Sequence, residues 1–327
     1  MSNRFFDPVN LCLAKPMIRQ SSDRILSCQQ DRRGFLQGAV ACLATSRLTA
    51  APSKPTLVDT HLHCFAGGED IRFPYHKRAP YRPAVPATPQ HLIKCMDDAG
   101  VQFAVVVHPE PYQDDHRYLE YCLNVGKGRL KGTVLLFSDR PGSVEKMPDL
   151  AKRMDLIAAR VHAYAPDRLP PFGKPELRKL WQRATELGLA IQLHFEPRYA
   201  PGFEPLIREF RESRVIIDHL GRPFQGTPRE HQVVLNWSRF ENTIMKFSSL
   251  PAKENYPHRE IQPVIKQLTD AFGSERMIYG GGFNASATGE SYLAAFERGR
   301  SYLAHLTSSD QAKILGENAV RLFGFNG

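Results

Sequence analysis

The sequence predicts a single (β/α)8 barrel preceded by a leader. Three observations predict it: eight short apolar runs alternate with eight amphipathic stretches, the alternation fills about 270 residues, and polar side chains recur where the apolar runs end. Residues 1–54 read as leader and residues 55–327 as one barrel domain with a helical C-terminus.

The elements follow in order. Leu57-Val58-Asp59 starts a strand, and Pro-rich sequence from Pro74 to Pro89 is a loop. Thr88 can cap a helix with Pro89 in its first position, ending at Ala99 before Gly100. Phe103–Val107 is an unbroken apolar run, as expected of a strand covered on both faces. The same reasoning gives helix 115–124, strand 132–137, helix 143–153, strand 156–161, helix 175–187, strand 189–193, helix 204–212 and strand 215–218. Helix 228–237, strand 243–247, helix 261–272 and strand 277–279 continue it, with helical sequence over 290–306 and 309–323. A doubly wound sheet needs a Gly-rich phosphate turn after its first strand, and His61-Leu62-His63-Cys64-Phe65-Ala66-Gly67-Gly68 is not one.

Composition narrows the functions. The chain has 327 residues, 42% hydrophobic, with no apolar stretch in the barrel region of membrane-spanning length. The formal charge is +9, of which residues 1–51 carry +4 from seven basic and three acidic residues. No basic run interleaves with aromatics, which argues against a nucleic-acid partner and leaves a small-molecule substrate. Six cysteines, three of them before residue 51 and none in a CxxC pattern, do not make a disulfide framework. In the leader, Arg32-Arg33 precede Phe35-Leu36, a short apolar run from Ala39 to Ala44 and the small-residue end Ala50-Ala51. That order is twin-arginine-like and implies export to the periplasm; the alternative is a disordered extension on a cytoplasmic protein.

The chemistry gathers at the strand ends, where barrel active sites lie. Strand 1 ends in His61-Leu62-His63, whose two histidines share a face because they are two residues apart. Strand 2 ends in His108, strand 4 in Arg160-Val161-His162, strand 5 in Gln192-Leu193-His194 with Glu196 beyond it, and strand 6 in Asp218-His219. Several imidazoles converging on one point suit a divalent metal, zinc first: His61, His63 and His194 supply three ligands. His219 is left to carry protons.

The segments VDTHLH, RVHAY, IQLHF, IIDHLGRP, KFSSL and ILGENAVRLFG together resemble the amidohydrolase superfamily, in the amidohydrolase-related branch that includes sugar lactonases and pyrone-dicarboxylate lactonase. The resemblance spans about residues 56–325. It implies that His61, His63 and His194 are metal ligands or, in metal-free lactonases, carbonyl-polarising groups. It implies that His219 transfers the proton and that Arg160, with His162 and Arg222, binds substrate. The alternative for Arg160 is a salt bridge at the top of the barrel. The implied reaction is hydrolysis of a lactone or similar carbonyl compound by metal-activated water.

One position departs from the family. Its strand 8 ends in Gly-Ser-Asp-Trp-Pro, the aspartate being ligand and base, whereas this chain reads Gly280-Gly281-Gly282-Phe283-Asn284. Gly282 then stands where the aspartate belongs, and three glycines leave room for a larger ligand. Glu196 is the first candidate to replace that carboxylate and Glu110 the second. The competing readings are a catalytically impaired barrel acting as a binding protein, and a decarboxylase-type lyase. The loop 67–89, with Tyr75, His76, Arg78, Tyr81 and Arg82, is the expected reader of substrate.

Overall fold

A computed structural model describes residues 55–250 and 260–326. The leader, and with it the twin-arginine expectation, lies outside the described residues.

Eight parallel strands form one sheet in chain order: β1 (Val58–Leu62), β2 (Phe103–Val107), β3 (Leu130–Leu135), β4 (Leu156–Ala163), β5 (Ala190–Phe195), β6 (Val215–Ile217), β7 (Thr243–Ser248) and β8 (Met277–Gly280). The first and last strands meet: the Thr60 hydroxyl donates to the Tyr279 carbonyl at 2.7 Å, and Gly280 lies against His61. A Cβ at Gly280 would stand 2.6 Å from the His61 Cβ and 2.7 Å from its backbone nitrogen, so closure requires glycine there.

The helices α1 (Pro89–Ala99), α2 (Arg117–Val125), α3 (Met147–Arg153), α4 (Pro175–Glu186), α5 (Glu204–Glu209), α6 (Pro228–Asn236), α7 (Gln262–Phe272) and α8 (Gly289–Tyr302) follow the strands in turn. Thr88 caps α1 through the His91 N–H, and Gly100 ends the helix in the left-handed region, as the sequence predicts. The expected 309–323 helix is instead α9 (Ser308–Ala312), a π turn (Lys313–Glu317) and α10 (Asn318–Phe323). A Cβ at Gly316 would lie 1.9 Å from the Thr56 carbonyl oxygen, so this turn packs directly on the chain entering β1.

Two apolar cores result. Val58, Val105, Val107, Ala158, Ala190, Ile216, Ile244 and Ile278 fill the barrel, and Phe325 reaches them by stacking on Phe103 with ring centroids 4.8 Å apart. The larger core lies between strands and helices and contains Leu62 and Cys64. Along β3 to β7 the inward positions turn polar after the apolar layer. Thr133, Arg160, Gln192, Asp218 and Lys246 form the next layer, all buried.

Candidate active site

β1 reaches the mouth through an irregularity. Its pairing with β2 shifts register between Asp59 and Leu62. Val58 therefore packs in the barrel core while Leu62 and Cys64 pack outside, leaving His61 and His63 to the interior. Asp59 fixes the bend by accepting from the His61 N–H (2.8 Å), the Gly281 N–H (2.7 Å) and the Tyr292 hydroxyl (2.7 Å). Burial pushes the Asp59 carboxyl up to about 6, against those three donors.

His61 packs edge-on against His63 (ring centroids 5.2 Å) and against His219 (4.4 Å). His219 meets His194 at 5.2 Å, and His194 meets His162 at 5.0 Å. Five imidazoles thus form an arc across the mouth. Burial holds His63 down to about 4 and His219 to about 3, and holds His61, His162 and His194 well below the ordinary histidine range. All five are neutral near pH 7. His63 Nδ1–H donates to the Val107 carbonyl at 2.7 Å, which leaves Nε2 as its acceptor.

Under the arc lies one charge cluster. Asp218 Oδ2 accepts from Arg160 Nε (3.0 Å), Arg160 Nη2 (2.9 Å) and Gln192 Nε2 (3.0 Å). Asp218 Oδ1 lies 3.3 Å from Lys246 Nζ and 3.4 Å from His61 Nδ1. The Lys246 contact is an ion pair rather than an aligned hydrogen bond, because Oδ1 has no hydrogen-bond partner in that geometry. Burial alone would raise the Asp218 carboxyl; the charges of Lys246 and Arg160 outweigh it and hold the group well below the carboxylate range. Burial in turn lowers Lys246, and Asp218 opposes that shift.

His219 owes its position to its backbone. His219, Leu220, Gly221 and Arg222 have φ of 57°, 58°, 68° and 53°, four consecutive left-handed residues of which only one is glycine. Each non-glycine residue there costs roughly 1–2 kcal/mol. Strain of this kind is retained where a side chain must be aimed. Ser248 at the end of β7 receives the result: its Oγ lies 2.9 Å from His219 Nδ1 and 3.3 Å from the His219 backbone nitrogen.

The other predicted residues fall as follows. Arg160 is buried and committed to Asp218, the arrangement of the salt-bridge alternative. His162 Nδ1 lies 3.9 Å from a Glu110 carboxylate oxygen, and both of its ring nitrogens are buried without a hydrogen bond. Glu110 is bonded by the Tyr164 hydroxyl and by Arg168 Nη1 at 2.7 Å. The Arg222 guanidinium sits 5.8 Å from the Tyr164 ring centre. Glu196 is paired with the half-exposed Arg198 at 2.5 Å. At Gly282, with φ 117°, a Cβ would meet the Ala295 Cβ at 2.7 Å and the Tyr292 ring at 3.0 Å, so this backbone directs a Cβ at α8. The glycines do not leave a shared void. His61 fills the space at Gly280, α8 fills it at Gly282, and only Gly281 faces open space.

Sequence reasoning passed over Lys246, Gln192, Tyr164 and Asp59 as site residues. A lysine two residues beyond the inward-facing Ile244 in β7 was the signal for the first of these.

Three cavities open around the arc. One of about 490 Å³ is lined by Arg78, Glu110, Arg140, His162 and Arg168; one of about 460 Å³ by His61, His63, Phe65, Val85 and Phe283; one of about 130 Å³ by His194, His219, Arg222 and Ser249. The loop 67–89 joins the two larger ones, since Arg78 lines the first and Val85 the second. Its ends are pinned by a bridge between Phe65 and Ala87.

Among the described residues, the group that could hold a metal ion is His61, Asp218 and His219, whose ligand atoms lie within 4.8 Å of one another. This set shares only His61 with the expected His61, His63 and His194. The donor types suit zinc. Lys246 does not: its ammonium lies 3.5 Å from His61 Nδ1 and 3.3 Å from Asp218 Oδ1, so a cation already stands beside two of the three donors. An ion bound through those two atoms would have to share them with the Lys246 ammonium.

The family model described as amidohydrolase matches residues 58–325. L-fucono-1,5-lactonase of Burkholderia ambifaria is 26% identical over 255 residues, covering 73% of this chain and 82% of the lactonase. Among solved structures, a probable 2-pyrone-4,6-dicarboxylic acid hydrolase of Acinetobacter baumannii, with citric acid bound, superposes with a TM-score of 0.67 at 22% identity, covering 83% of this chain and 100% of that one. An amidohydrolase of Burkholderia multivorans with bound zinc superposes with a TM-score of 0.66 at 14% identity, over 83% of this chain and 100% of that one. At these identities the two superpositions establish the shared fold.

Proposed function

Because the chain belongs to the amidohydrolase family, we propose that it is a hydrolase that opens a six-membered lactone or a closely similar cyclic ester at the mouth of its barrel. The observation that carries this reading is the arc of five neutral imidazoles over the buried Asp218, Arg160 and Lys246 cluster. The ring size comes from the relatives, one named for a 1,5-lactone and the other for a pyrone.

His219 is the proton carrier of this reading. In the tautomer that serves as base, Nδ1–H donates to Ser248 Oγ and Nε2 is free for water. Water attacks the ester carbon, and its proton passes to Nε2. The acyl C–O bond then breaks, and the same proton goes to the departing ring oxygen. Asp218 favours the imidazolium formed between these steps, because its charge raises the basicity of His219. His61, His63 and His194 surround the carbonyl. Arg222 and His162 contact the remainder of the substrate, and Arg160 acts through Asp218. Glu196 and Glu110 are the carboxylates left to assist the base, each already tied to an arginine.

Metal-activated water, the form expected from sequence, gains support from the His/Asp/His group and loses it to Lys246, so no step is routed through an ion. The binding-protein and lyase readings are not favoured, given a curated lactonase relative over most of the chain. No helix among the described residues is long and apolar enough to cross a membrane. Export by a twin-arginine signal is a separate proposal, tested by fractionating cells that express the full chain.

The direct experiment incubates the purified protein with a panel of aldono-1,5-lactones and pyrone carboxylates and follows acid release. Enzyme-dependent opening of at least one is expected; a rate no higher than buffer across the panel contradicts the reading.

A further inference from the structure

Asp218 is the carboxylate of the His/Asp/His group, and its acceptor sites are spoken for. Oδ2 carries three donor contacts from Arg160 and Gln192, and Oδ1 alone is left for a cation. Lys246 already faces it. The lysine side chain is fully buried and comes up from β7 through the barrel interior. An ammonium has three N–H groups. Three acceptors surround this one: the Thr60 carbonyl at 3.0 Å, Asp218 Oδ1 at 3.3 Å and His61 Nδ1 at 3.5 Å. Two hydrogen-bond partners and one ion-pair partner make the position a built cation site.

The geometry also limits sharing. His61 Nδ1 and Asp218 Oδ1 are 3.4 Å apart. An ion held at about 2.1 Å from both would lie roughly 2–4 Å from Nζ, on whichever side of the pair it sat. The formal charges of Lys246 and Arg160 are balanced by Asp218 and Asp59, so a divalent ion would enter with no uncommitted carboxylate in the cluster.

We infer that the Lys246 ammonium is the resident cation of the position where His61, Asp218 and His219 would place a metal, and that this chain works with that ammonium in the ion's stead. The proposal rests on the hydrolase reading for its chemistry but not for its structural claim. Lys246 is buried beneath His61 and acts through it: the ammonium fixes the ring by bonding Nδ1 and supplies positive charge under the point where an oxyanion develops. It does not touch the substrate, so it is a positioning residue.

The test compares full-length wild type with Lys246→Met and Lys246→Gln, each loaded with zinc or cobalt(II), desalted and analysed for metal. Wild type is expected to retain less than about a tenth of an equivalent. The variants are expected to retain about one equivalent, to show visible cobalt bands of a low-symmetry site, and to melt higher with zinc than without. Two variants of different polarity guard against one failing to fold, and the wild-type result stands alone if both do. Near-stoichiometric metal in wild type overturns the inference. So does failure of folded variants to gain metal, since Lys246 is then not what keeps the ion out. Lactone opening by chelator-treated wild type is measured alongside. Absence of opening with the expected metal results would defeat the hydrolase reading and leave the cation assignment standing.

Discussion

Asp218→Asn is the substitution that probes the site most sharply. The shape is kept and one charge is removed. Asp218 Oδ2 serves Arg160 and Gln192, and Oδ1 serves Lys246 and His61. An asparagine has one oxygen and one NH2 for the two sides. If the oxygen keeps Arg160, the NH2 points at the Lys246 ammonium, donor against donor. Either orientation leaves a buried cation uncompensated, which costs roughly 3–5 kcal/mol when a buried pair is broken. For a barrel of this size that corresponds to a fall in Tm of about 10 °C. The assay is paired thermal and urea unfolding of wild type, Asp218→Asn, Lys246→Met and the double variant. The double variant removes both charges and should recover about 1–3 kcal/mol relative to additivity. A loss below about 1 kcal/mol for Asp218→Asn, or strict additivity in the double variant, would refute the reasoning that Asp218 compensates Lys246.

Other outcomes follow from the same geometry. His63 and His219 are held at about 4 and about 3, below the ordinary 6.5, so each stabilises the fold above pH 6.5 and loses that contribution as pH falls towards the folded value. Between pH 6.5 and 5 each should cost about 2 kcal/mol; Asp59, raised to about 6, acts in the opposite direction and returns about 1 kcal/mol. Thermal melts should therefore drop from pH 7 to 5, and a flat or rising profile contradicts the burial of neutral histidines. Gly280→Ala should cost about 1–3 kcal/mol by pressing on His61, read by urea unfolding. Gly282→Asp should destabilise without adding lactonase activity, because its side chain meets α8; a gain in turnover would show that the loop can re-aim it.

The fold was legible because a barrel strand buried on both faces reads as an apolar run, and Phe103–Val107 and Val215–Ile217 read that way. The histidines at strand ends were legible for a related reason: a polar residue closing such a run has to face the mouth. The irregularity in β1 left no local mark, since the register of Val58 and Leu62 is set by pairing with β2 and not by their own sequence. Lys246 was missed because the sequence of Thr243–Ser248 does not show which way its lysine faces, and only the neighbouring strands reveal Asp218 and the Thr60 carbonyl beside it. The left-handed turn of His219 to Arg222 was equally hidden, because only Gly221 among them advertises such a backbone. What a side chain at Gly282 would meet was hidden too, because φ there directs a Cβ at α8.

The measurement that bears most directly on the account is the rate of lactone opening by chelator-treated wild type against His219→Asn under the same treatment. The account predicts turnover in wild type and a fall of about 10²–10⁴ in kcat for the variant, with its fold retained. Equal rates in the two proteins, or no turnover in either, would contradict it.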